Sequence, residues 1–534
     1  MAQAIPIRSS RTLILPSPAL WPAVALLVLY AAFYVQAAGH LVAFPFDFDQ
    51  GEGYDAWSGW LLANGHLPYT DNETFPYYSS NYPPVWSWLV SLPMRWAGPG
   101  LAPARAISAA AGVLAVLLVT LAARRYSGSA LAALLAGGLF LASPYVFHTA
   151  PLARVNSTAL LLALLGLTLF EAPTRVRVVL GSLALLGALF TKQTALDAVI
   201  AGLLYVFFVS RPGAALGAAM IGVGGLLGIA LLAWLTRGAF WLNTFAGNVN
   251  PFDLGQLASY GLNFVAVHCV LLAFAVSAAR ELITRRDWSP WVFYLLISAT
   301  MALAAGKWGA GESYFLGALA AACVLAAIPI ARLLEGHDPV WRRQLDRRWQ
   351  ERRHGLTALV RSSRTFVRRT RSRALSRRSP SAAHYLVAGA LLVQALLLAH
   401  GPLSEVAPWL PDRGFQAPLL GKAPTEQDRV AGEEIVAIIM AANGQALGED
   451  PSFTVAAGQP IVGNATHLRN LHEAGLWRGS ALIADVEARR FGLVILHAQL
   501  YPAPVLAAIG RSYELDRVMT VGRATYQIFV PTEQ

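Results

Sequence analysis

The chain has 534 residues, of which 56% are hydrophobic and only 13% are charged, and its formal net charge at pH 7 is +11. A soluble globular chain carries about a quarter charged residues, so this composition excludes an ordinary soluble protein. We therefore expect a polytopic membrane protein with many spans and one small water-facing domain.

Apolar runs along the chain predict about eleven transmembrane helices, since a span needs about 20 mostly apolar residues. The runs lie near residues 21–40, 101–123, 129–147, 156–171, 177–190, 194–210, 213–235, 259–279, 288–305, 314–334 and 384–400. Most of these runs fall in the first 335 residues, which form the predicted transmembrane module.

The loops between the predicted spans differ in charge. Arginine pairs such as Arg124/Arg125 and Arg175/Arg177 occur on alternate loops, whereas the opposite loops hold scattered single cations such as Arg105. Cytoplasmic loops are enriched in Lys and Arg, so the N-terminus is predicted to be cytoplasmic and the chain after the last span extracytoplasmic. The expected location is a plasma membrane of the bacterial inner-membrane type.

One basic segment accounts for the net charge. Residues 332–378 contain fifteen arginines and four acidic residues, a difference of +11. Segment 336–383 is predicted to lie on the cytoplasmic membrane surface against anionic lipid headgroups, before the last span at 384–400. Nucleic acid is not an expected partner, because neither an interleaving of aromatic residues with the charges nor a groove-reading module accompanies the segment.

The composition changes after the last span, and residues 401–534 are predicted to form a small extracytoplasmic α/β domain. Short runs at Ser452–Ala457, Phe491–His497 and Thr525–Val530 are typical of strands. They alternate with helical patterns at Gln427–Asn443 and Ser480–Arg490, the second of which begins with a serine suited to an N-cap.

The first outer loop, residues 41–100, carries the strongest functional signal. Four carboxylates, Asp47, Asp49, Glu52 and Asp55, fall within nine residues directly after a span, where charge is costly. Amphipathic patterns at 53–64 and 84–96, the second after Tyr82 and two prolines, predict two helices in the membrane interface. The alternative is a solvated loop with aromatic anchors.

Three very short outer turns each place one cation at the edge of the hydrocarbon. A single such cation is commonly a snorkelling anchor, but three on one face, opposite the acidic loop, favour a pocket for an anionic lipid headgroup. The candidate residues in these turns are His148, Arg154, Asn156, Lys192, Gln193, Lys307, Glu312 and Tyr314.

These features together resemble the GT-C superfamily of lipid-phosphate-sugar glycosyltransferases. Within it, the chain resembles the family 39-like relatives of bacteria, which are related to protein O-mannosyltransferases and to the lipid A aminoarabinose transferase. The resemblance covers about residues 20–335, and its best matches are Asp49-Gln-Gly-Glu52-Gly-Tyr54, Leu61-Leu-Ala-Asn-Gly65-His-Leu-Pro-Tyr69-Thr-Asp71 and the turn from Lys307 to Tyr314.

The resemblance implies a fold, a reaction and a catalytic residue. The implied fold is an all-α membrane bundle with the C-terminal α/β domain outside. The implied reaction is an inverting transfer of a sugar from a polyprenyl-phosphate donor to a hydroxyl of a glycan, lipid or protein acceptor. By motif, the catalytic acid of the family falls on Asp49, with Glu52 second. The chain departs from the family at Asn156, where relatives often have an aspartate.

A cofactor and two other functions remain open at this stage. The pair Asp47 and Asp49 forms a D-x-D pattern, whose oxygens suit a divalent cation such as Mg²⁺ or Mn²⁺. A flippase or transporter of a lipid-linked saccharide would place charges at mid-bilayer, whereas the charges here cluster at the outer edge. A non-catalytic scaffold acting through the C-terminal domain is the third alternative.

Overall fold

The apolar runs form helices in the computed structural model of the protein, which describes residues 18–248, 250–335, 382–398, 424–522 and 524–533. The helices up to the last apolar run are α1 (Trp21–Ala43), α2 (Glu52–Ala63), α3 (Val85–Ala97), α4 (Leu101–Ser127), α5 (Ala130–Ala142), α6 (Pro144–Phe147), α7 (Asn156–Phe170), α8 (Arg175–Leu189), α9 (Leu196–Val209), α10 (Arg211–Leu235), α11 (Ala239–Thr244), α12 (Leu254–Thr284), α13 (Pro290–Met301), α14 (Leu316–Glu335) and α15 (Ala382–Leu397).

Five of the described helices are long and apolar enough to cross a membrane, namely α1, α4, α10, α12 and the helical stretch Glu312–Leu334 that contains α14. Shorter apolar helices lie between them, so the count of eleven spans stays a prediction. In the most apolar stretch of α14, 89% of the residues are buried, against 11% for α10. The alanine-rich α14 therefore lies at the centre of the bundle, where small residues allow close helix packing, and α10 lies at its edge.

Helices α2 and α3 are present where the two amphipathic patterns predicted them, within one residue of the expected bounds. Their location in the membrane interface stays a prediction. The predicted span at 129–147 is interrupted at Ser143, where Pro144 begins the separate short helix α6. The interruption follows from proline, which has no N–H to continue the preceding helix and disfavours a helical residue before it.

The C-terminal part is an α/β domain, as predicted. Its helices are α16 (Glu426–Ala441), α17 (Pro451–Ala456), α18 (Ala465–Glu473), α19 (Ser480–Glu487) and α20 (Ala503–Ser512), and its strands are β1 (Gln445–Gly448), β2 (Phe491–Leu496), β3 (Tyr513–Val521) and β4 (Ala524–Pro531). The sheet order is β1-β2-β4-β3, with β1 and β2 parallel and the other pairs antiparallel.

Three details of this domain differ from the sequence prediction. The segment Ser452–Ala457 was expected to be a strand but lies mostly in α17, because Pro451 occupies the first helical turn, a position that suits proline. Ser480 is the first residue of α19, and the N-cap is Gly479. Strands β1 and β3 and helices α18 and α20 were not predicted.

Most of the basic segment 332–378, which precedes α15, lies outside the described residues.

The first outer loop packs into the C-terminal domain. Alternate residues of β2 point to opposite faces of the sheet, so Val494 belongs to the core cluster on one face and Ile495 to that on the other. Tyr77 of the outer loop joins the first of these clusters, and Phe46 joins the second. The loop that carries the acidic residues is therefore fixed between the membrane bundle and the sheet.

Candidate functional site

A cavity of about 440 Å³ lies between the outer turns of the bundle, the first outer loop and helix α18. Most of the site residues predicted from the sequence line it, although they come from five separate parts of the chain. They are Asp49, Asp55, Tyr82, Arg154, Asn156, Lys192, Gln193, Lys307, Glu312 and Tyr314. The predicted residues Asp47, Glu52 and His148 do not line this cavity.

Asp49 combines partial exposure with a nearby cation. Its side chain is 28% exposed, and its Oδ2 lies 3.5 Å from Nε of Arg154. Burial raises the pKa of Asp49 to about 6, although the charge of Arg154 acts in the opposite direction. Asp49 is thus a carboxylate that is ionised at neutral pH and able to accept a proton.

Arg154 forms ion pairs with two carboxylates, those of Asp49 and Asp55. Its Nη1 lies 3.3 Å from Oδ2 of Asp55, and its guanidinium lies 5.9 Å from the ring centroid of Tyr82. Gly51 has a φ of 106°, a backbone conformation that favours glycine, and a Cβ there would force the Arg154 side chain to shift. Arg154 therefore compensates the acids of the first loop, and its predicted contact with a donor phosphate stays a prediction.

Glu52 forms a fully buried ion pair with Arg105. Its Oε2 lies 2.7 Å from Nη2 of Arg105, and both side chains are 0% exposed. The same carboxylate accepts hydrogen bonds from the backbone N–H groups of Asp49 (3.1 Å) and Ala153 (2.7 Å). Burial acts to raise the pKa of Glu52, but Arg105 and these hydrogen bonds bring it below its usual value. Glu52 thus fixes the Asp49 turn against the segment before Arg154.

The carboxylate of Asp47, like that of Glu52, accepts hydrogen bonds from other parts of the protein. The donors are the N–H groups of Gly53 (2.6 Å) and Ser452 (2.9 Å). Burial, and the nearby carboxylate of Asp450, raise the pKa of Asp47 to about 7. The described ranges contain no group of three or more His, Cys, Asp or Glu side chains suited to a metal ion. A cation between Asp47 and Asp49 stays a prediction from the D-x-D pattern.

The cation of Lys192 has neutral hydrogen-bond partners. Its Nζ donates to Oδ1 of Asn156 (2.7 Å) and to Oγ of Ser313 (3.0 Å), and it lies 5.1 Å from the ring centroid of Tyr314. Burial, and repulsion by Arg154, lower the pKa of Lys192 to about 7. The side chain of Asn156 is a neutral amide, so it leaves the charge of Lys192 open to an external anion.

The turn after α13 supplies the second lysine. Nζ of Lys307 donates to the backbone carbonyl of Asn248, and burial lowers the pKa of Lys307. Glu312, in the same turn, is buried, and burial raises its pKa to about 7.

Two other predicted residues have structural contacts. Gln193 donates a hydrogen bond to the carbonyl of Thr244 (2.9 Å) and so joins two outer segments. His148 instead packs beside Phe147, with ring centroids 5.2 Å apart.

Helix α18 supplies a wall that the sequence prediction missed. Asn464, at its N-cap, and Thr466, His467 and Asn470 in the helix line the same cavity as Asp49. Thr466 accepts a hydrogen bond from Gln50 over 2.9 Å, and these two residues are more than 400 positions apart. No local sequence pattern marks such a contact.

No protein-family model and no curated protein sequence matches the chain. Solved structures do match. The chain is similar to ArnT from Cupriavidus metallidurans bound to undecaprenyl phosphate, with 16% identity over 95% of this chain and 98% of that one and a TM-score of 0.56. The apo state of the same protein gives 16% identity, coverage of 96% and 100%, and a TM-score of 0.58.

A third match is the archaeal oligosaccharyltransferase AglB from Archaeoglobus fulgidus, in complex with an inhibitory peptide and a dolichol-phosphate, at 13% identity, coverage of 96% and 74%, and a TM-score of 0.49.

The chain shares the fold of these ArnT structures, which confirms at the level of the fold the resemblance predicted from the sequence. ArnT, a lipid A aminoarabinose transferase, is a solved protein that matches the chain over nearly its full length. At 16% identity the likeness establishes the fold alone.

Proposed function

We propose that the protein is an inverting glycosyltransferase that moves a sugar from a polyprenyl-phosphate donor to an acceptor hydroxyl. The observation that carries this proposal is the composition of one cavity. A partly exposed carboxylate, Asp49, shares it with the lysines Lys192 and Lys307, whose hydrogen-bond partners are neutral.

The donor assignment rests on the two lysines. Each meets the cavity at an outer turn of the bundle, where the phosphate of a lipid anchored in the membrane would lie. A phosphate anion beside these lysines favours their protonated form. The resulting ammonium groups form strong charge-assisted hydrogen bonds with phosphate oxygens and stabilise the phosphate as a leaving group. The ArnT structure with the same fold holds undecaprenyl phosphate, which supports a lipid of this class for the present chain.

Asp49 is the proposed general base. The acceptor oxygen forms a bond to C1 of the sugar, the bond from C1 to the phosphate oxygen breaks, and the acceptor proton passes to the Asp49 carboxylate. Attack from the face opposite the phosphate inverts the anomeric centre. A base with a pKa of about 6 is ionised at neutral pH and still accepts a proton, as general-base catalysis requires.

Glu52 is proposed to position Asp49 rather than to contact substrate. Its carboxylate holds the backbone N–H of Asp49 and the Arg105 guanidinium, and it is fully buried. In the proposed reaction Lys192 and Lys307 stabilise the leaving phosphate, and no step is assigned to the divalent cation that the D-x-D pattern predicts. The proposed setting is the extracytoplasmic face of a bacterial-type inner membrane, with the basic segment 332–378 on anionic lipids at the opposite face.

Incubating the purified protein with a radiolabelled polyprenyl-phosphate sugar and a membrane extract as the source of acceptors tests this proposal. We expect the donor to be consumed and the label to appear in a product with the opposite anomeric configuration. A flippase would move the intact donor across the bilayer of proteoliposomes, and a scaffold would leave it unchanged. Either result, without donor consumption, would refute the proposal.

A further inference from the structure

One buried acid of the helix bundle has no part in the reaction described above. Asp197 lies in the first turn of helix α9, inside a predicted span, and is 8% exposed. Its carboxylate accepts hydrogen bonds from Oγ of Ser298 (2.6 Å) and from the N–H of Ala198 (2.6 Å). Both partners are neutral donors, which suits an ionised carboxylate. An acid inside a membrane segment is costly, and such residues are commonly functional.

Asp197 lies close to the proposed phosphate-binding residue Lys192. The two side chains line the same cavity of about 40 Å³, which has room for a few water molecules. Nζ of Lys192 donates to Oγ of Ser313 (3.0 Å), and Oδ2 of Asp197 lies 2.9 Å from the place of a Cβ on Gly317. Ser313 and Gly317 are about one helical turn apart, so the two charges are about 7 Å apart.

Gly317, in the first turn of helix α14, leaves the space that Asp197 occupies. A Cβ on this residue would lie 2.6 Å from Oγ of Ser298, 2.7 Å from Oη of Tyr294 and 2.9 Å from Oδ2 of Asp197. These distances are shorter than normal contacts, so a larger residue would displace the acid or its neighbours. Asp197 is therefore held between helices α9, α13 and α14, beside the Lys192 turn.

The other charges near Lys192 do not replace the charge of Asp197. The titratable groups around the lysine are Asp55, Arg154, Asp197, Tyr294, Lys307 and Tyr314. The two tyrosines are neutral at pH 7, and the two cations disfavour a positive charge on Lys192. Asp55 favours that charge, but it already forms an ion pair with Arg154 over 3.3 Å. Asp197, whose hydrogen-bond partners are neutral, is the acid whose charge is available to Lys192.

We infer that Asp197 is a positioning residue of the donor site, whose negative charge holds Lys192 in the ammonium form that binds the donor phosphate. This inference rests on the proposed function, in which Lys192 contacts that phosphate. Without the acid, burial and the neighbouring cations Arg154 and Lys307 favour the neutral amine of Lys192. Asp197 thus acts through Lys192 and does not itself touch the substrate.

The size of the effect follows from the separation of the two charges. Burial lowers the pKa of Lys192 to about 7 with Asp197 in place. At about 7 Å, and at an effective dielectric constant between those of a protein surface and water, the charge of Asp197 is worth about one pKa unit. Asp197→Asn should therefore lower the pKa of Lys192 to about 6, which raises the neutral fraction at pH 6 by about fivefold.

The test measures how fast Lys192 reacts with acetic anhydride, which attacks only the neutral amine. The purified full-length protein in detergent is treated from pH 5 to pH 9, and the peptide that contains Lys192 is quantified by mass spectrometry. We expect Lys192 of Asp197→Asn to react about fivefold faster than wild type at pH 6 and equally fast at pH 9. The alkaline limb of undecaprenyl phosphate binding, measured beside it, should move to lower pH by about one unit.

Two matched controls separate the charge of Asp197 from its packing. Ser298→Ala removes the hydroxyl that contacts the acid but keeps the acid. Glu171→Gln neutralises another buried acid of the bundle, which accepts a hydrogen bond from Trp291 over 2.8 Å and lines neither cavity. Lys192 should show the wild-type pH profile in both controls. Asp197→Ser, which is also neutral, carries the test if Asp197→Asn does not purify as a single species.

A wild-type profile of Lys192 in the neutral variants of Asp197 would overturn the inference. An equal shift in Ser298→Ala would overturn it as well, because packing and not charge would then be the cause. A shifted profile of Lys192 together with unchanged binding of undecaprenyl phosphate would support the coupling of the two side chains, and it would refute the proposed contact of Lys192 with the donor.

Discussion

Replacing Arg154 with glutamine should shift the pH dependence of sugar transfer. The Arg154 guanidinium lies 3.5 Å from the Asp49 carboxylate, and its positive charge lowers the pKa of that carboxyl. Removing the charge therefore raises the pKa of Asp49. A smaller fraction of Asp49 is then ionised at any given pH, so the acid limb of kcat/KM moves to higher pH.

The size of this shift follows from Coulomb's law. At 3.5 Å the attraction is about 1.2 kcal/mol in water and about 4.7 kcal/mol at an effective dielectric constant of 20. The side chains of Arg154 and Asp49 are 20% and 28% exposed, so the attraction between them lies between these two energies. One pKa unit corresponds to about 1.4 kcal/mol, so we expect a shift of about two units, to a pKa of about 8.

The assay compares kcat/KM of donor consumption for the variant and the wild type from pH 5 to pH 9. With pKa values of about 6 and about 8, the variant should be about tenfold less active at pH 7 and close to wild type at pH 9. Arg154→Lys, which keeps the charge, should shift the limb less. A loss of kcat/KM in Arg154→Gln that is the same at every pH would refute this reasoning. It would indicate another role for Arg154, such as donor binding.

The remaining predictions concern the other parts of the site. Glu52→Gln should lower the free energy of unfolding by about 3–5 kcal/mol, because it leaves the buried Arg105 without its charge partner; denaturant unfolding that matches wild type would contradict this. Lys192→Ala and Lys307→Ala should each raise the KM for the donor by about 10- to 100-fold, as expected for a lost charge-assisted hydrogen bond; unchanged KM values in both would return the lysines to the role of interface anchors. Cysteines introduced at positions 71 and 352 should react with membrane-impermeant reagents from opposite sides of the membrane, as the charge pattern predicts; labelling of both from one side would contradict the topology.

The positions of the helices and the main cavity residues could be predicted from the sequence because their signals are local. Apolar runs mark the spans, and the acids of the first loop and the lysines of the outer turns stand out against their apolar surroundings. Their convergence in one cavity followed from the predicted topology, which places all these turns on one face.

The contacts between distant residues could not be predicted. Arg105 was expected to be one of the scattered outer cations, but the structure buries it against Glu52. Nothing in the sequence around Arg105 distinguishes it from an anchor. The wall formed by α18 depends on contacts such as Gln50 to Thr466, which only the folded chain creates. The segment Ser452–Ala457 was wrongly predicted as a strand because Phe453, Thr454 and Val455 favour strands, whereas Pro451 starts a helix there.

The most direct test of the proposed reaction is the turnover of Asp49→Asn with a polyprenyl-phosphate sugar, measured beside Asp71→Asn, an exposed acid of the same loop. Asparagine keeps the size of Asp49 but cannot accept the acceptor proton. We predict that turnover of Asp49→Asn falls by at least ~100-fold, that its binding of undecaprenyl phosphate is unchanged, and that Asp71→Asn behaves like wild type. Near-normal turnover of a folded Asp49→Asn enzyme would contradict the assignment of Asp49 as the base.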